Sequence, residues 1–431
     1  MLAWVLSPPF KKQMIKEGRC EQESNLFGTV FPPLTMVEIA SILKQKFNVK
    51  VIDTMASEIN IEQLKIKFKS DKPNCVFVNT TTPTFKNDLN SVNCLSKISE
   101  KTIFYIYGIH AKYFSNKIKT NKNTILLNSM PYKKAYELIG LKNQNLNNFP
   151  VPSWDLVDLK QYKIPIKNKP FLLIRTSIGC PYSCTFCTAP YYYGKNYEQK
   201  TAKNILKEIK NGLDLGVNEF LFYSEVFTLK KKIVMELCNT LIEKNIKINW
   251  MCNSRVDTID FELLNTMKKS GCWLISYGNE SSSQKELDMC SKLIKISQTK
   301  KSIILTKKSG IMSIGHFVIG LPGSNKSSIL STIKYSNKLG LDFAYFYLAT
   351  PFPGSELYEK LKLKQLDYSK INYKSNLINE NLDLESLQKF AYKYFYFNTN
   401  TINSIYKLVK ISGINAIPLL VNQGLNMLKQ F

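Results

Sequence analysis

Along residues 1–140, short apolar β-type runs alternate with stretches whose apolar positions recur every three or four residues. The runs Ala3–Leu6, Val49–Asp53, Cys75–Asn79, Ile103–Tyr107 and Thr124–Leu127 predict strands. Leu34–Phe47, Ile61–Ser70, Lys86–Ser99 and Tyr132–Ile139 carry the helical spacing between them. Such alternation folds as a Rossmann-like, doubly wound parallel sheet covered by helices, and ligands bind at the carboxyl ends of its strands. Those ends hold Ser7-Pro8-Pro9, Asp53-Thr54, Thr80-Thr81-Thr82 and Gly108-Ile109-His110. Residues 141–170 lose the rhythm and are rich in Asn and Pro, as a linker between domains is.

The alternation resumes over residues 171–370. Strands are predicted at Phe171–Ile178, Glu219–Tyr223, Ile248–Cys252, Trp273–Tyr277, Met312–Ile319 and Ala344–Leu348. Helices such as Ala202–Leu215, Lys231–Lys244, Phe261–Ser270 and Ser327–Leu339 separate them. Six βα units of this kind suit a partial (β/α)6 barrel of the TIM type, open on one side, with its active site at the C-terminal strand ends. Residues 371–431 are helical in pattern and form a C-terminal helical region. Its aromatic-rich stretch KFAYKYFYF has core spacing rather than the look of a substrate box.

Charge changes this picture little. The net charge is +26, yet arginine occurs only at Arg19, Arg175 and Arg255, so 59 basic residues less 3 leaves 56 lysines spread over every segment. Bidentate phosphate and base recognition favours arginine, so the excess reads as a composition bias and not as a nucleic-acid surface. No apolar run is long enough for a membrane-spanning helix. MLAWVLSPPF lacks a basic start and a cleavage site, so it reads as a first buried strand and a cytoplasmic location is expected. In that reducing compartment Cys75, Cys94, Cys238 and Cys272 pack as small hydrophobes without disulfides.

Three of the ten cysteines need another explanation. RTSIGCPYSCTFC sets Cys180, Cys184 and Cys187 at CxxxCxxC spacing on a loop that caps a strand. Three thiolates so placed can hold three irons of a 4Fe-4S cubane and leave the fourth iron open to a small molecule. Zinc would want a fourth ligand, and the two histidines, His110 and His316, are not at zinc-finger spacing.

CPYSCTFC, with Phe186 before its third cysteine, resembles the signature of the radical SAM superfamily. The resemblance implies that S-adenosylmethionine (SAM) chelates the open iron and is cleaved reductively to a 5′-deoxyadenosyl radical. FLFYSEVFTL resembles the second-strand segment that meets SAM, through Tyr223, Ser224 and Glu225; Ser224-Glu225 departs from the family's paired aspartates and leaves Glu225 as the acid. WMCNSRVDTIDFELLNTMKKSGCWLISYGNESSS is similar to the third and fourth strands, which implies roles toward SAM for Arg255, Glu280 and Ser281. GHFVIGLPGS resembles the adenine-packing segment, with Val318 and Ile319.

The motifs SPPF, VIDT, TTTPTF and GIHA of residues 1–140 resemble the cobalamin-binding domain that precedes many radical SAM enzymes. The resemblance implies cobalamin contacts from Pro8, Asp53, Thr80, Thr82, Gly108 and His110, although the Asp-x-His-x-x-Gly motif that supplies an axial histidine is absent. It further implies methylation of an unactivated carbon in a small-molecule substrate, with a reduced flavodoxin or ferredoxin as electron donor. Radical cyclisation or oxidation without methyl transfer, an RNA-modifying methylthiotransferase and a non-catalytic iron–sulfur sensor stand as alternatives. No catalytic side chain beyond the cofactor ligands can be named from the sequence.

Overall fold

The computed structural model describes residues 1–12, 14–23, 29–164, 167–362, 366–378, 381–413 and 417–418. The first strand, β1 (Leu2–Ser7), runs into a two-stranded hairpin of β2 (Met14–Glu17) and β3 (Cys20–Glu23). β4 (Asn48–Asp53), β5 (Cys75–Asn79), β6 (Ile103–Tyr107) and β7 (Thr124–Leu126) follow, each separated from the next by a helix. They form a five-stranded parallel sheet in the order β4-β1-β5-β6-β7. That order puts the topological switch between β1 and β5, where doubly wound sheets open a crevice at their carboxyl ends.

Both faces of the sheet are buried, which explains its apolar strands. Ala3 and Val5 pack on one side under α1 (Leu34–Leu43), while Trp4 and Leu6 pack on the other with Leu64 and Phe68. Every residue of α1 is buried, because it lies between this sheet and the second one. The predicted helix ends at Leu43 instead of Phe47, where the chain turns into β4.

A short pair, β8 (Lys163–Ile164) and β9 (Lys169–Pro170), closes the linker. β10 (Leu172–Arg175) then breaks at Thr176, whose N–H donates to the Tyr223 carbonyl at 3.0 Å. The chain leaves the sheet as β11 (Ser177–Ile178), paired antiparallel to β12 (Glu198–Gln199), so the single strand expected over Phe171–Ile178 is two. β13 (Glu219–Tyr223), β14 (Asn249–Ser254), β15 (Cys272–Glu280), β16 (Met312–Ile319) and β17 (Phe343–Leu348) complete a six-stranded parallel sheet in chain order from β10. This is the expected partial barrel. In the C-terminal helix Leu384–Tyr396, Tyr392 and Phe395 are buried, and Tyr392 Oη accepts from the Phe346 N–H, so these aromatics are core.

The two sheets are locked by a buried ion cluster. Arg175, at the end of β10, donates through Nε to both carboxylate oxygens of Glu38 on α1 at 3.0 and 2.9 Å. Its Nη2 reaches Glu17 of β2 at 3.2 Å and Thr35 Oγ1 at 2.9 Å. All three charged side chains are 1% exposed. Burial pushes the Glu17 carboxyl up to about 7, against the pull of Arg175 and the Thr35 hydrogen bonds.

Candidate functional site

Inward positions recur with period two along the barrel strands. Leu221, Met251, Leu274, Ile314 and Phe343 make an apolar floor. Two residues further along the strands come Tyr223, Asn253, Ser276, His316 and Tyr345, and beyond them Glu225, Arg255, Glu280, Val318 and Tyr347. These residues line a cavity of about 420 Å³ at the C-terminal strand ends. The first domain closes it with Ile15, Arg19, Thr29 and Phe31.

Cys180, Cys184 and Cys187 all face this cavity. Gly179 enters their loop at φ +92°, and a Cβ there would lie 1.9 Å from the Asn196 carbonyl oxygen, so the close passage requires glycine. The loop is tied by Cys180 N–H to Gly194 O at 3.1 Å, Cys187 N–H to Cys184 O at 3.0 Å and Thr185 N–H to Cys290 O at 3.0 Å. The Ala189 N–H donates to Cys187 Sγ at 3.4 Å. Burial pushes the Cys187 thiol up to about 12 and raises Cys180, while Arg19 pulls both down. Bound iron would supply the missing positive charge. Among the described residues no three His, Cys, Asp or Glu side chains converge as they do on a single metal ion. Three thiols facing one cavity are the donor set that a 4Fe-4S cluster with one open iron takes.

Six of the eight residues expected at SAM line the cavity: Tyr223, Ser224, Glu225, Arg255, Glu280 and Val318. The other two do not. Ser281 Oγ donates to Glu286 at 2.5 Å and accepts from the Ser283 N–H at 2.9 Å, binding a local turn together. Ile319 is 1% exposed in the barrel core. A register shift at the end of β15 and a φ of +63° at Glu280 turn that carboxylate into the cavity, where Lys292 Nζ donates to it at 2.6 Å. Burial works against the Lys292 charge, but Glu280 and Cys184 together outweigh it and the Lys292 pKa is raised. Arg255 grips Asp257 with Nε and Nη2 at 2.9 and 3.0 Å, and its guanidinium lies 3.6 Å from the Tyr182 ring centre, against the cysteine loop.

Arg19 and Lys292 line the cavity from outside the motifs named in the sequence, and His316 lies inside GHFVIGLPGS without a role assigned to it. The scarcity of arginine was the one signal for Arg19. His316 Nδ1 is 3.2 Å from Tyr347 Oη, and its ring stacks near parallel with Tyr345 and Tyr347. Burial, with Lys292 and Arg19 nearby, lowers it to about 4, so the imidazole is neutral at neutral pH.

The six first-domain candidates gather at the carboxyl edge of the first sheet but do not line the cavity. Asp53 accepts from the Met55 and Ala56 N–H groups and from Tyr162 Oη at 3.1 Å, tying the linker to the sheet. Thr80 donates to the Tyr107 carbonyl at 2.8 Å, and Gly108, at φ +130°, packs so closely that a Cβ would meet Thr80 O at 2.0 Å. Pro8 is buried beside them. His110 lies in the first turn of a helix, Ile109–Phe114, that the sequence pattern does not predict, and its ring contacts Phe85, Phe114 and Tyr368. Burial lowers its pKa to about 3. Thr82 Oγ1 and His110 Nδ1 are buried without a hydrogen-bond partner. Buried polar atoms are rarely left so, and a polar ligand along this edge would satisfy them.

Residues 174–336 match the family model of the radical SAM superfamily. The chain is 26% identical over 363 residues to an uncharacterised methyltransferase of Pyrococcus horikoshii, covering 77% of this chain and 79% of that one. It is 24% identical over 386 residues to the anaerobic magnesium-protoporphyrin IX monomethyl ester cyclase of Rubrivivax gelatinosus, covering 80% and 69%. Among solved structures, the radical SAM methyltransferase TsrM of Kitasatospora setae shares the fold with a TM-score of 0.62 at 13% identity, over 82% of this chain and 75% of that one. The cobalamin-dependent SAM radical enzyme OxsB does so with 0.63 at 15%, over 86% and 56%. The family match spans the cysteine loop and the sheet behind it from the end of β10 to β16.

Proposed function

We propose that this chain is a radical SAM enzyme that transfers a methyl group to an unactivated carbon of a small molecule with the help of cobalamin. The observation that carries the reading is the single cavity on which the cysteine loop, the acidic rim of the barrel and the hairpin of the first domain converge. In it Cys180, Cys184 and Cys187 hold a 4Fe-4S cluster. Glu225 would meet the amino group of SAM, Glu280 and Lys292 would present a paired charge to its polar end, and Val318 would pack on adenine. Arg255 holds Tyr182 and with it the shape of the cysteine loop. The apolar floor and the first-domain cover keep water from the reacting atoms. When bound, the cluster and SAM supply a 5′-deoxyadenosyl radical, and cobalamin supplies the methyl group. The edge carrying Pro8, Asp53, Thr80, Thr82, Gly108 and His110 would hold that cobalamin, with Thr82 Oγ1 and His110 Nδ1 the donors or acceptors still to be satisfied. The likeness to TsrM and OxsB, described with cobalamin bound, supports this part of the reading.

A reduced flavodoxin or ferredoxin in the cytoplasm supplies the electron in this reading; no helix among the described residues is long and apolar enough to cross a membrane. The test is anaerobic reconstitution with iron, sulfide and cobalamin, followed by reduction with SAM present. Methyl transfer requires both 5′-deoxyadenosine and S-adenosylhomocysteine. The likeness to the ester cyclase over 80% of this chain favours a second reading, radical chemistry without methyl transfer, for which 5′-deoxyadenosine forms alone.

A further inference from the structure

The cavity is layered, and its middle layer differs in chemistry from those above and below. The floor residues Leu221, Met251, Leu274, Ile314 and Phe343 are apolar, with Trp273 beside them. The charged side chains that line the cavity are Arg19, Glu225, Arg255, Glu280 and Lys292, gathered at the rim, and each is in an ion pair. Between floor and rim stand Asn253, Ser276 and His316, from the neighbouring strands β14, β15 and β16. Each lies two residues beyond a floor residue of its own strand, a rise of about 6.6 Å. Asn253 and Ser276 are register partners, so they stand side by side. Neither side chain is hydrogen-bonded within the described residues. His316 meets Tyr347 Oη through Nδ1 at 3.2 Å, and the near-parallel Tyr345 and Tyr347 rings, 5.5 and 5.7 Å away between centres, fix its plane. Its Nε2, on the far edge of the ring, has no bond to a described residue and is left to the cavity.

An amide, a hydroxyl and an imidazole nitrogen offer donors and acceptors without a charge, since burial keeps His316 neutral. A carboxylate, phosphate or ammonium held at this level would lose its water and meet no opposite charge there. The cations and carboxylates of the rim are already bonded to one another or to Asp257. A hydroxyl, carbonyl or amide keeps its hydrogen bonds at the same place. Below it the floor accepts only hydrocarbon, because a polar group against those side chains would go unpaired. A few placed polar groups over an apolar lining is the usual means of fixing a ligand's orientation. The cavity of about 420 Å³ also takes SAM in the proposed reading, so the enclosed part of the substrate is compact.

We infer that Asn253, Ser276 and His316 form the substrate-recognition layer, and that the enclosed part of the substrate is a compact hydrocarbon ring or branched chain bearing an uncharged hydroxyl, carbonyl or amide at their level. This deepens the proposed function and rests on SAM lying at the rim above. The hydrocarbon sits on the floor, and the polar group fixes which face of the molecule turns up toward the rim.

The test uses the full chain with its cluster reconstituted and reads binding by quenching of tryptophan fluorescence, assigned to the cavity by its loss in Trp273→Phe. The probes share one saturated ring: cyclohexylmethanol, cyclohexanecarboxamide, cyclohexanecarboxylate and cyclohexylmethylamine. At neutral pH the alcohol and the amide bind at least about tenfold more tightly than the carboxylate and the amine, which is then an ammonium ion. Ser276→Ala, Asn253→Leu and His316→Phe each weaken the alcohol or the amide by roughly three- to tenfold, the loss of one hydrogen bond. Methylcyclohexane, which has no polar group, binds these variants no more weakly than the wild type. A charged probe that binds as tightly as the alcohol, or no quenching by either neutral polar probe, overturns the inference. So do variants that lose methylcyclohexane to the same degree as the alcohol. A matching fall in SAM affinity, read by equilibrium dialysis, places the layer at SAM and overturns its assignment to the substrate. A chain that ranks the probes as stated yet takes up no SAM refutes the proposed function and leaves the recognition layer standing.

Discussion

Replacing Arg175 with methionine leaves the Glu17 and Glu38 carboxylates buried, at 1% exposure each, without the guanidinium that both of them meet. Removing one partner of a buried ion pair costs about 3 to 5 kcal/mol, because the remaining charge has lost water as well as its partner. Replacing the whole set is far milder, so Arg175→Met with Glu17→Gln and Glu38→Gln should recover most of the loss. The pH dependence has a definite sign. Glu17 is raised from 4.5 to about 7, so in this range the folded chain binds more protons than the unfolded one. Its contribution to stability is fully present below about 4.5 and is lost as the pH rises through about 7. At about 1.4 kcal/mol per pH unit, the span corresponds to roughly 3 kcal/mol. Urea unfolding followed by tryptophan fluorescence from pH 6 to 8 should show wild-type stability falling with pH relative to Glu17→Gln. The Arg175→Met defect should shrink toward pH 6, where a protonated carboxyl needs no counter-charge. An Arg175→Met chain as stable as the wild type at pH 8, or a Glu17→Gln chain with an unchanged pH slope, refutes the reasoning.

Other expected outcomes are local. Gly18→Val forces a β-branched residue into φ +58° and a side chain onto Tyr193, so the hairpin should lift and protease cleavage near residue 18 should rise severalfold while the barrel stays folded. Gly108→Ala pushes a methyl group onto Thr80 O, 2.0 Å away; it should abolish cobalamin retention on gel filtration and leave the iron content unchanged. Arg255→Lys keeps the charge but loses the two-pronged grip on Asp257 and much of the contact with Tyr182. Faster loss of cluster absorbance on exposure to a chelator, by roughly tenfold, is the expected sign.

Most strands are legible because their burial is monotonous: Cys75–Asn79 and Phe104–Tyr107 are buried on both faces, and their apolar runs show it. The cysteines were legible because three thiols at fixed spacing have few other uses. Residues that reach the cavity through irregular backbone were not. KEGRCEQE has no alternation, and only Gly18 marks the turn that carries Arg19 across the domain boundary. Lys292 lies between Ser291 and Leu293, both at positive φ, a local fold that no periodicity announces. The motifs that hold Ser281 and Ile319 imply contacts with SAM, yet a bulge and the strand alternation turn both side chains away from the cavity. The first-sheet edge was found in the sequence as a set of strand ends. Its tie to the linker through Tyr162 and Asp53 depends on a contact between residues 109 positions apart.

The central claim concerns Cys180, Cys184 and Cys187, and one measurement addresses it most directly. The full chain, reconstituted anaerobically with iron and sulfide, is reduced with dithionite in the presence of SAM, and iron content and 5′-deoxyadenosine are measured together. The expected result is about four irons per chain and formation of 5′-deoxyadenosine, with both lost in Cys184→Ala while the fold persists by circular dichroism. A wild-type chain that holds the cluster but makes no 5′-deoxyadenosine, or a Cys184→Ala chain that keeps both, would contradict it.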